Sequence, residues 1–526
     1  MNVSALLLAL TAVGILILLA VVFRVSARSA FIVWTLTLFF VPVWIGVNLG
    51  FFWAAVTGIT LLAVVTGWRS VSLAPADALV AAFALLALIL FGLRMVPLSS
   101  AVIAVLEWVL PYVWGRLVLA RLPTAFVTRI IAAVATAAAV IAILEFASGT
   151  NVFLLLPAMG ASFEEWGRLQ PRGGFIRVEG AFGHSIALGA ALAMSSAFVL
   201  ATRWTLTAKL LSLAVISAAT VVTFSRLGLL TLVLTVALSV VTLPGLTRRT
   251  RGAVIAVGAI AALVVVPFVG GVFLEAGDEA SGSADYRSSL WMLLSQVQII
   301  GSAGDWAGLT VGGTYLGQYA DSIDNALLVI ALRFGWIPVL LVIAVLVMVA
   351  VSVVRPGRAN PASIAVTAQL PSLFAVALIT QYGMYLWFLV GLAIAWPRRS
   401  PDGHAVEPVA VAQDVDGVRD DLEHHHARGI GQQRTVHPEH GHEHVRQGHG
   451  ARGHEQRRGD LEPDAGPVHH EHPERVEHGL QGDHEPERQD DVRRDLELAV
   501  RDDAEQPRTD REDHGRGGDD HRPEQP

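Results

Sequence analysis

The sequence contains no cysteine in 526 residues. A disulfide scaffold, a cysteine-ligated zinc site and a cysteine nucleophile are therefore excluded. Lysine is nearly as scarce: Lys209 stands against 37 arginines, a bias that points to a GC-rich genome. Charge is thin overall, with 16% charged residues against 53% hydrophobic ones. Histidine is missing from the first 400 residues except at His184, although the chain holds 18. Aromatic residues are missing from the remainder: all 13 Trp, 21 Phe and 6 Tyr fall before residue 400.

These absences divide the chain into two polymers joined near Trp396. Residues 1–400 carry 22 Lys+Arg and 13 Asp+Glu, a net of +9, and residues 401–526 carry 16 Arg and 32 acids, a net of −16. Length alone would permit three or four soluble domains. The first 400 residues rule that out, because most of the stretch is a succession of apolar runs near the ~20 residues a helix needs to cross a bilayer. The runs lack strand-like alternation, which excludes a membrane β-barrel and leaves a helical bundle.

The expected fold is thus all-α: a polytopic transmembrane bundle of 12–13 helices over residues 1–397, with two long outer loops and a disordered tail over 398–526. Candidate spans are Asn2–Phe23, Ala30–Val47, Gly50–Thr66, Ala78–Leu93, Val96–Trp114, Ile130–Ile143 and Ile186–Ala201. The series continues with Leu206–Phe224, Leu227–Pro244, Ala253–Phe273, Ala326–Val353, Ile364–Ile379 and Tyr382–Trp396. The first run resembles a signal peptide but lacks a basic start, and further spans follow at once.

Lys and Arg set the orientation. One set of loops holds 15 positive charges, from Arg24 to Arg399, against a single acid, Asp77. The alternate loops hold eleven acids, among them Glu164, Glu165, Glu179 and Asp324. The basic set is expected to be cytoplasmic, together with the tail, and the N-terminus to lie outside. The long loops, 145–185 and 274–325, then face outward. A transporter keeps its polar chemistry near the midplane, on broken helices; here polar residues gather on the outer face.

Five outward features stand out: Arg177 through His184, Thr223-Phe224-Ser225-Arg226, Tyr286-Arg287 ahead of Trp291 on a predicted surface helix, glycine-rich Gly301–Gly317, and Asp324-Asn325. Arg177, Arg226 and Arg287 meeting in one outer pocket would bind a phosphate or pyrophosphate, since guanidinium forks match those oxygens and stay charged when partly desolvated. Asp324 or His184 would then accept a proton near the reacting atom. No D-x-D pair occurs outside the tail, so no metal site is expected and arginine would carry the electrostatic load. Each feature has a plainer reading. Arginines at helix ends snorkel to headgroups, His184 can hydrogen-bond at a helix start, and Asp324-Asn325 can cap a helix. Gly180, Gly183 and Gly189 suit close helix packing. Glu107, Glu145 and Arg333 lie in or at the ends of spans, where charge demands a partner or a polar cavity.

The order of these pieces resembles the O-antigen ligase and O-antigen polymerase family of polytopic glycosyltransferases. The resemblance runs from about Val80 to Trp396. It rests on Tyr112-Val113-Trp114-Gly115-Arg116, Arg177–His184, Thr223–Arg226, Arg287 with Trp291, Gly301–Gly313, and Asp324-Asn325-Ala326-Leu327-Leu328 followed by Gly335. It implies transfer of a glycan from a polyprenyl pyrophosphate to an acceptor hydroxyl, on a glycan or lipid, at the outer face of the bacterial plasma membrane. No cofactor, metal or nucleic acid is implied; the partners are the lipid-linked donor, the acceptor and membrane lipids. Arg226 and Arg287 would contact the pyrophosphate, with Arg177 nearby. Asp324 matches the position of a catalytic histidine in ligases, and Arg333 stands where an acid is common, so a polymerase or cell-wall glycan ligase fits better than a lipid A ligase. The competing readings are a transporter or flippase for an anionic or lipid-linked solute, and a membrane scaffold with a regulatory tail.

The tail cannot bury enough apolar surface to offset ordering. Its histidines, such as His424-His425-His426, lack a repeated ligand spacing. Its abrupt change to His, Arg, Asp, Glu, Gly and Pro is what GC-rich DNA yields in another frame. Resequencing the coding DNA across residues 396–405 is expected to reveal a shifted frame; an intact frame with a related tail in sibling genes would reject this.

Overall fold

The computed structural model describes residues 3–397 apart from 49, 157–159, 173, 276–289, 305–309, 312–313 and 316–322. The tail, Tyr286 and Arg287 lie outside the described residues. The fold is all-α, as expected. Helices α1 (Val3–Val25), α2 (Ala27–Phe40), α3 (Ala55–Gly67) and α4 (Pro75–Gly92) come first. Next, α5 (Leu98–Val102) runs through a π-helical turn (Ile103–Val109) into α6 (Leu110–Val118). Then follow α7 (Thr124–Ser148), α8 (Ala161–Trp166), α9 (Ser185–Ala201), α10 (Leu206–Val222), α11 (Arg226–Thr242) and α12 (Arg248–Glu275). The last are α13 (Ala326–Phe334), α14 (Trp336–Val354), α15 (Pro361–Gln369) and α16 (Thr380–Ala395). Among the described residues, three two-stranded antiparallel ribbons decorate the loops: β1 (Gly46–Asn48) with β2 (Phe52–Ala54), β3 (Pro171–Arg172) with β4 (Phe175–Ile176), and β5 (Thr310–Val311) with β6 (Thr314–Tyr315).

Among the described residues, five helical segments are long and apolar enough to cross a membrane, and seven shorter ones are apolar. Their outer surfaces fit that solvent. On α12, Ile260, Leu263 and Val264 are 64%, 78% and 71% exposed, an apolar surface that water would penalise and lipid would not.

The centre of the bundle is α9, buried along almost its whole length and packed against α7, α10, α11, α15 and α16. Alanine, serine and glycine make this approach possible, as small residues do between membrane helices. Gly189 and Gly228 face each other where α9 crosses α11: a Cβ on Gly228 would lie 3.3 Å from the Gly189 backbone. The α6–α16 crossing is tighter. A Cβ on Gly115 would come within 2.2 Å of the Phe388 carbonyl, and one on Gly391 within 2.1 Å of that of Tyr112.

The arginine-rich loops share one end of the bundle, and there Asp77 has a structural task. Its carboxylate accepts from Arg116 Nε and Nη2 (both 2.8 Å), from the Tyr112 hydroxyl (2.5 Å) and from the Ala74 amide (2.7 Å). This pins the start of α4 to α6. The segment Tyr112–Arg116 is therefore a packing joint, built from the Gly115 contact and the Arg116 ion pair.

Several expectations shift in detail. The runs Ala30–Val47 and Gly50–Thr66 are helical only within Ala27–Phe40 and Ala55–Gly67, and Gly46–Asn48 and Phe52–Ala54 pair as strands between them. The run Ala326–Val353 is two helices, because Gly335 takes φ +96° and its α-carbon abuts the backbone of Ile299 and Ile300, 2.8 Å from any added Cβ. Residues 298–303 lie against this break: Trp336 and Ile337 amides donate to the Gln298 and Ile299 carbonyls, and Gly301 and Ala303 amides to Phe334 and Leu332. Helix α7 extends to 25 residues, beyond Ile130–Ile143 in both directions. The run Ile364–Ile379 ends as a helix at Gln369 and passes through a 3-10 turn (Leu370–Phe374). The described part of the predicted surface helix at Trp291 is likewise a 3-10 turn, Trp291–Gln296.

Substituting Gly391 by Leu is expected to abolish recovery of monodisperse protein in detergent size-exclusion chromatography. Gly258→Ala, where nothing lies within 4 Å, should elute like the parent.

Candidate functional site

The end of the bundle opposite Asp77 gathers the 145–185 segment, the 223–226 turn and the start of α13. Construction begins at Glu145, in the last turn of α7, 5% exposed. Its carboxylate accepts the Glu179 amide at 3.0 Å on one oxygen and the Gly180 amide at 3.1 Å on the other. The partner that Glu145 requires is thus a pair of backbone N–H groups. Asn151 adds a third tie, donating from Nδ2 to the Gly180 carbonyl at 3.2 Å. Gly180 and Gly183 adopt φ +55° and +62°, so their role is to turn the chain, not to pack helices; Gly189 alone of the three lies in a helix crossing.

This clamp presents Arg177, which is buried at 6% exposure. Its Nε donates to the Thr223 carbonyl at 3.2 Å and Nη1 to the Gln170 side-chain oxygen at 3.5 Å. Arg172 on β3 reaches the same turn, donating to the Phe224 carbonyl at 3.3 Å. Phe224 holds φ +46°, uncommon for a bulky side chain, and its ring stacks on Phe175 of β4 at 5.4 Å. Ser225 then caps α11, accepting the Gly228 amide at 3.0 Å. Arg226, the first residue of that helix, is exposed. Arg177, Arg172 and Arg226 are therefore organised around one four-residue turn. Beneath the β3–β4 ribbon lies a cavity of 310 Å³ lined in part by Glu145, Asn151, Phe175 and Arg177.

Asp324 reaches the same end by another route. The neighbouring Asn325 caps α13 by accepting the Leu328 amide at 2.9 Å, and the Ala326 amide donates to Val376 at 3.1 Å. The loop containing Val376 also holds Ser372, whose hydroxyl meets Thr231 of α11 at 3.0 Å. Asp324 itself is half-buried. Arg287, the remaining expected pyrophosphate ligand, lies outside the described residues.

His184 takes the helix-start position. Its Nδ1 accepts the Ile186 amide at 3.2 Å, so the proton of a neutral ring sits on Nε2. Burial, reinforced by the charge of Arg177, holds its pKa down to about 4. The accepting nitrogen is occupied by the cap, which leaves an N–H donor in place of the expected proton acceptor. Glu179 is the opposite case. It is 1% exposed, accepts the Gln170 amide at 3.3 Å, and burial pushes its pKa up to about 8 against the opposing pull of Arg177.

Arg172 was not singled out by the sequence, and Glu179 entered only among the loop acids and as one residue of the Arg177–His184 stretch. Arg172 sits in a Gly/Pro-rich stretch with no helical context, and burial of Glu179 follows from the Glu145 clamp, a contact between distant segments. Glu107 and Arg333 find their polar surroundings together, in a second cavity at this end. No family model, curated protein or solved structure matches the chain.

Two measurements probe the clamp. Glu145→Ala strands two buried amides at about 1–3 kcal/mol each and should lower the melting temperature by several degrees. A group with raised folded pKa contributes stability below its unfolded value that is lost as pH rises through the folded one. For Glu179 that window runs from 4.5 to about 8, so Glu179→Gln should remove part of the stability loss seen between those pH values in thermal scans.

Proposed function

We propose that this chain is a membrane glycosyltransferase. It moves a glycan from a polyprenyl pyrophosphate to an acceptor hydroxyl at the outer face of the plasma membrane, as a polysaccharide polymerase or ligase. The observation that carries the reading is the convergence of Arg177, Arg172 and Arg226 on the 223–226 turn, at the end of the bundle where Asp324 precedes the Asn325 cap of α13. Guanidinium groups at headgroup depth match a lipid diphosphate in both charge and fork geometry.

In the reaction, Arg226 grips the pyrophosphate from its exposed position, with Arg287 as the second ligand. Arg177, already engaged with Thr223 and Gln170, fixes the turn and adds positive potential. As glycan transfer proceeds, charge builds on the departing diphosphate, and preorganised donors stabilise it. Asp324 removes the proton from the acceptor hydroxyl as that oxygen attacks the anomeric carbon, with inversion. The arginines take the electrostatic part a metal would otherwise play. The Nε2–H of His184 is available as a hydrogen-bond donor, and its neutrality at physiological pH avoids a further repulsive charge beside Arg177.

A second reading, a transporter or flippase, draws support from the helix interrupted at Gly335, since discontinuous helices are common in transporters. The two make different predictions. Under the transferase reading, Arg226→Ala and Asp324→Asn each reduce chain elongation by at least about 10²-fold, with normal protein level and accumulation of short lipid-linked repeat units. Reconstituted protein should extend a lipid-pyrophosphate oligosaccharide with no added solute gradient. Full elongation by Arg226→Ala would remove the pyrophosphate clamp.

A further inference from the structure

A third cavity lies at the other end of the bundle, away from the 223–226 turn. Helix α9 runs from the His184 cap at one end to Ala201 at the other, a distance of about 25 Å at 1.5 Å per residue. Beyond its last turn, the loop to α10 meets the start of α7, the end of α11, the loop into α15 and the end of α16 around a cavity of 410 Å³. The walls are held from within. Asn360, which is buried, caps α15 by accepting the Ser363 amide at 2.9 Å. Its Nδ2 donates to the carbonyls of Arg358 at 3.4 Å and Ala393 at 3.3 Å, tying the loop to α16. Gly357, at φ +72°, turns the chain immediately before Arg358.

Three separate segments each bring one arginine to this cavity, Arg129, Arg203 and Arg358, and its lining holds no acid. All three are exposed, and among the described residues none of their guanidinium groups has a hydrogen-bond or ion-pair partner. Other cations at this end are engaged. Arg116 pairs with Asp77, Lys209 donates to the Leu200 carbonyl at the end of α9 (2.9 Å), and Arg251 donates to the Val241 and Leu243 carbonyls at the end of α11 (3.0 and 3.1 Å). The carbonyl ends of α9 and α11, which would repel an anion, are thus already covered. The start of α7 has no side-chain cap, so its first amides add positive potential. Three like charges around one cavity repel unless an anion joins them.

Phosphate oxygens match guanidinium forks in charge and geometry. The cavity falls within the range of ligand pockets, about 300–1,000 Å³, and a lone phosphate would fill little of it. Two further features favour a lipid as the source. Trp204 and Trp396 line the cavity, and indoles concentrate where membrane meets water. Helix α11 exposes Val241 two residues from the lining Leu243, an apolar surface along which acyl chains can run. We infer that this cavity holds the headgroup of an anionic glycerophospholipid, with Arg129, Arg203 and Arg358 on its phosphate oxygens. Basic pockets between membrane helices bind such headgroups. A bound headgroup would bridge the ends of α7, α9 and α15. The inference does not depend on the transferase reading, whose residues lie at the opposite end.

Full-length protein in detergent is titrated with phosphatidylglycerol, cardiolipin or phosphatidylcholine, and separately with inorganic phosphate. Bound lipid is counted by native mass spectrometry, and the melting temperature is followed in parallel. Phosphatidylglycerol or cardiolipin should be retained and should raise the melting temperature, as a ligand of the folded state does; phosphatidylcholine should do neither. Arg129→Gln, Arg203→Gln and Arg358→Gln should each weaken anionic-lipid affinity about five-fold, and the triple variant about 10²-fold. If the triple variant does not fold, the single variants carry the test. The control combines Arg69→Gln, Arg248→Gln and Arg249→Gln, which removes the same charge from exposed positions outside the cavity and should leave the affinity intact. Equal weakening by the control, or unchanged affinity in the cavity variants, overturns the site in favour of general attraction to a basic rim. Equal retention of phosphatidylcholine overturns it as well. If millimolar inorganic phosphate alone raises the melting temperature as far, and the triple variant abolishes that rise, the cavity serves a soluble phosphate and the lipid assignment falls.

Discussion

A single buried carboxylate organises the polar end of this molecule. Among the described residues Glu145 has no cationic hydrogen-bond partner; its two oxygens are spent on consecutive backbone amides, Glu179 and Gly180. That choice fixes main chain instead of side chain. Once the 179–180 peptide is held against α7, the residues on either side have little freedom: Arg177 is directed to the Thr223 carbonyl, and His184 arrives in position to cap α9. The 145–185 segment is thereby part of the bundle's frame, and the arginine cluster is held by the helices beneath it.

Burial sets the chemistry of the groups around this clamp in opposite directions. Glu179 is favoured as its neutral acid and His184 as its neutral base, because desolvation disfavours whichever form is charged. Charge is consequently concentrated on the arginines. Neutral neighbours preserve the positive potential that competing carboxylates would cancel.

Much of the architecture was legible in the apolar runs, since length and lack of alternation identify membrane-type helices directly. The features that escaped are those in which an apolar run is geometrically interrupted without a change in hydropathy. Ala326–Val353 reads as one span because nothing in its composition marks the close backbone approach at Gly335. The π-helical turn is invisible for the same reason: one added residue per turn leaves a run of Ile, Ala, Val and Leu unchanged in character. At the candidate site, the sequence identified Arg177, Arg226, Asp324 and His184 by residue type and position. It could not separate the capping task of His184 from a proton-transfer task, because that distinction depends on which ring nitrogen is already occupied.

The glycine crossing of α6 with α16 has a mechanical consequence. With Gly115 and Gly391 in backbone contact, the two helices interlock like notched beams and resist sliding along one another. Both continue into the walls of the cavity that Glu107 and Gln381 line, α6 through the π-helical turn and α16 through its first residues. Trp108 of that turn stacks on Trp387 of α16 at 6.3 Å, so the two walls are joined again beyond the crossing and the cavity is framed as one piece with it.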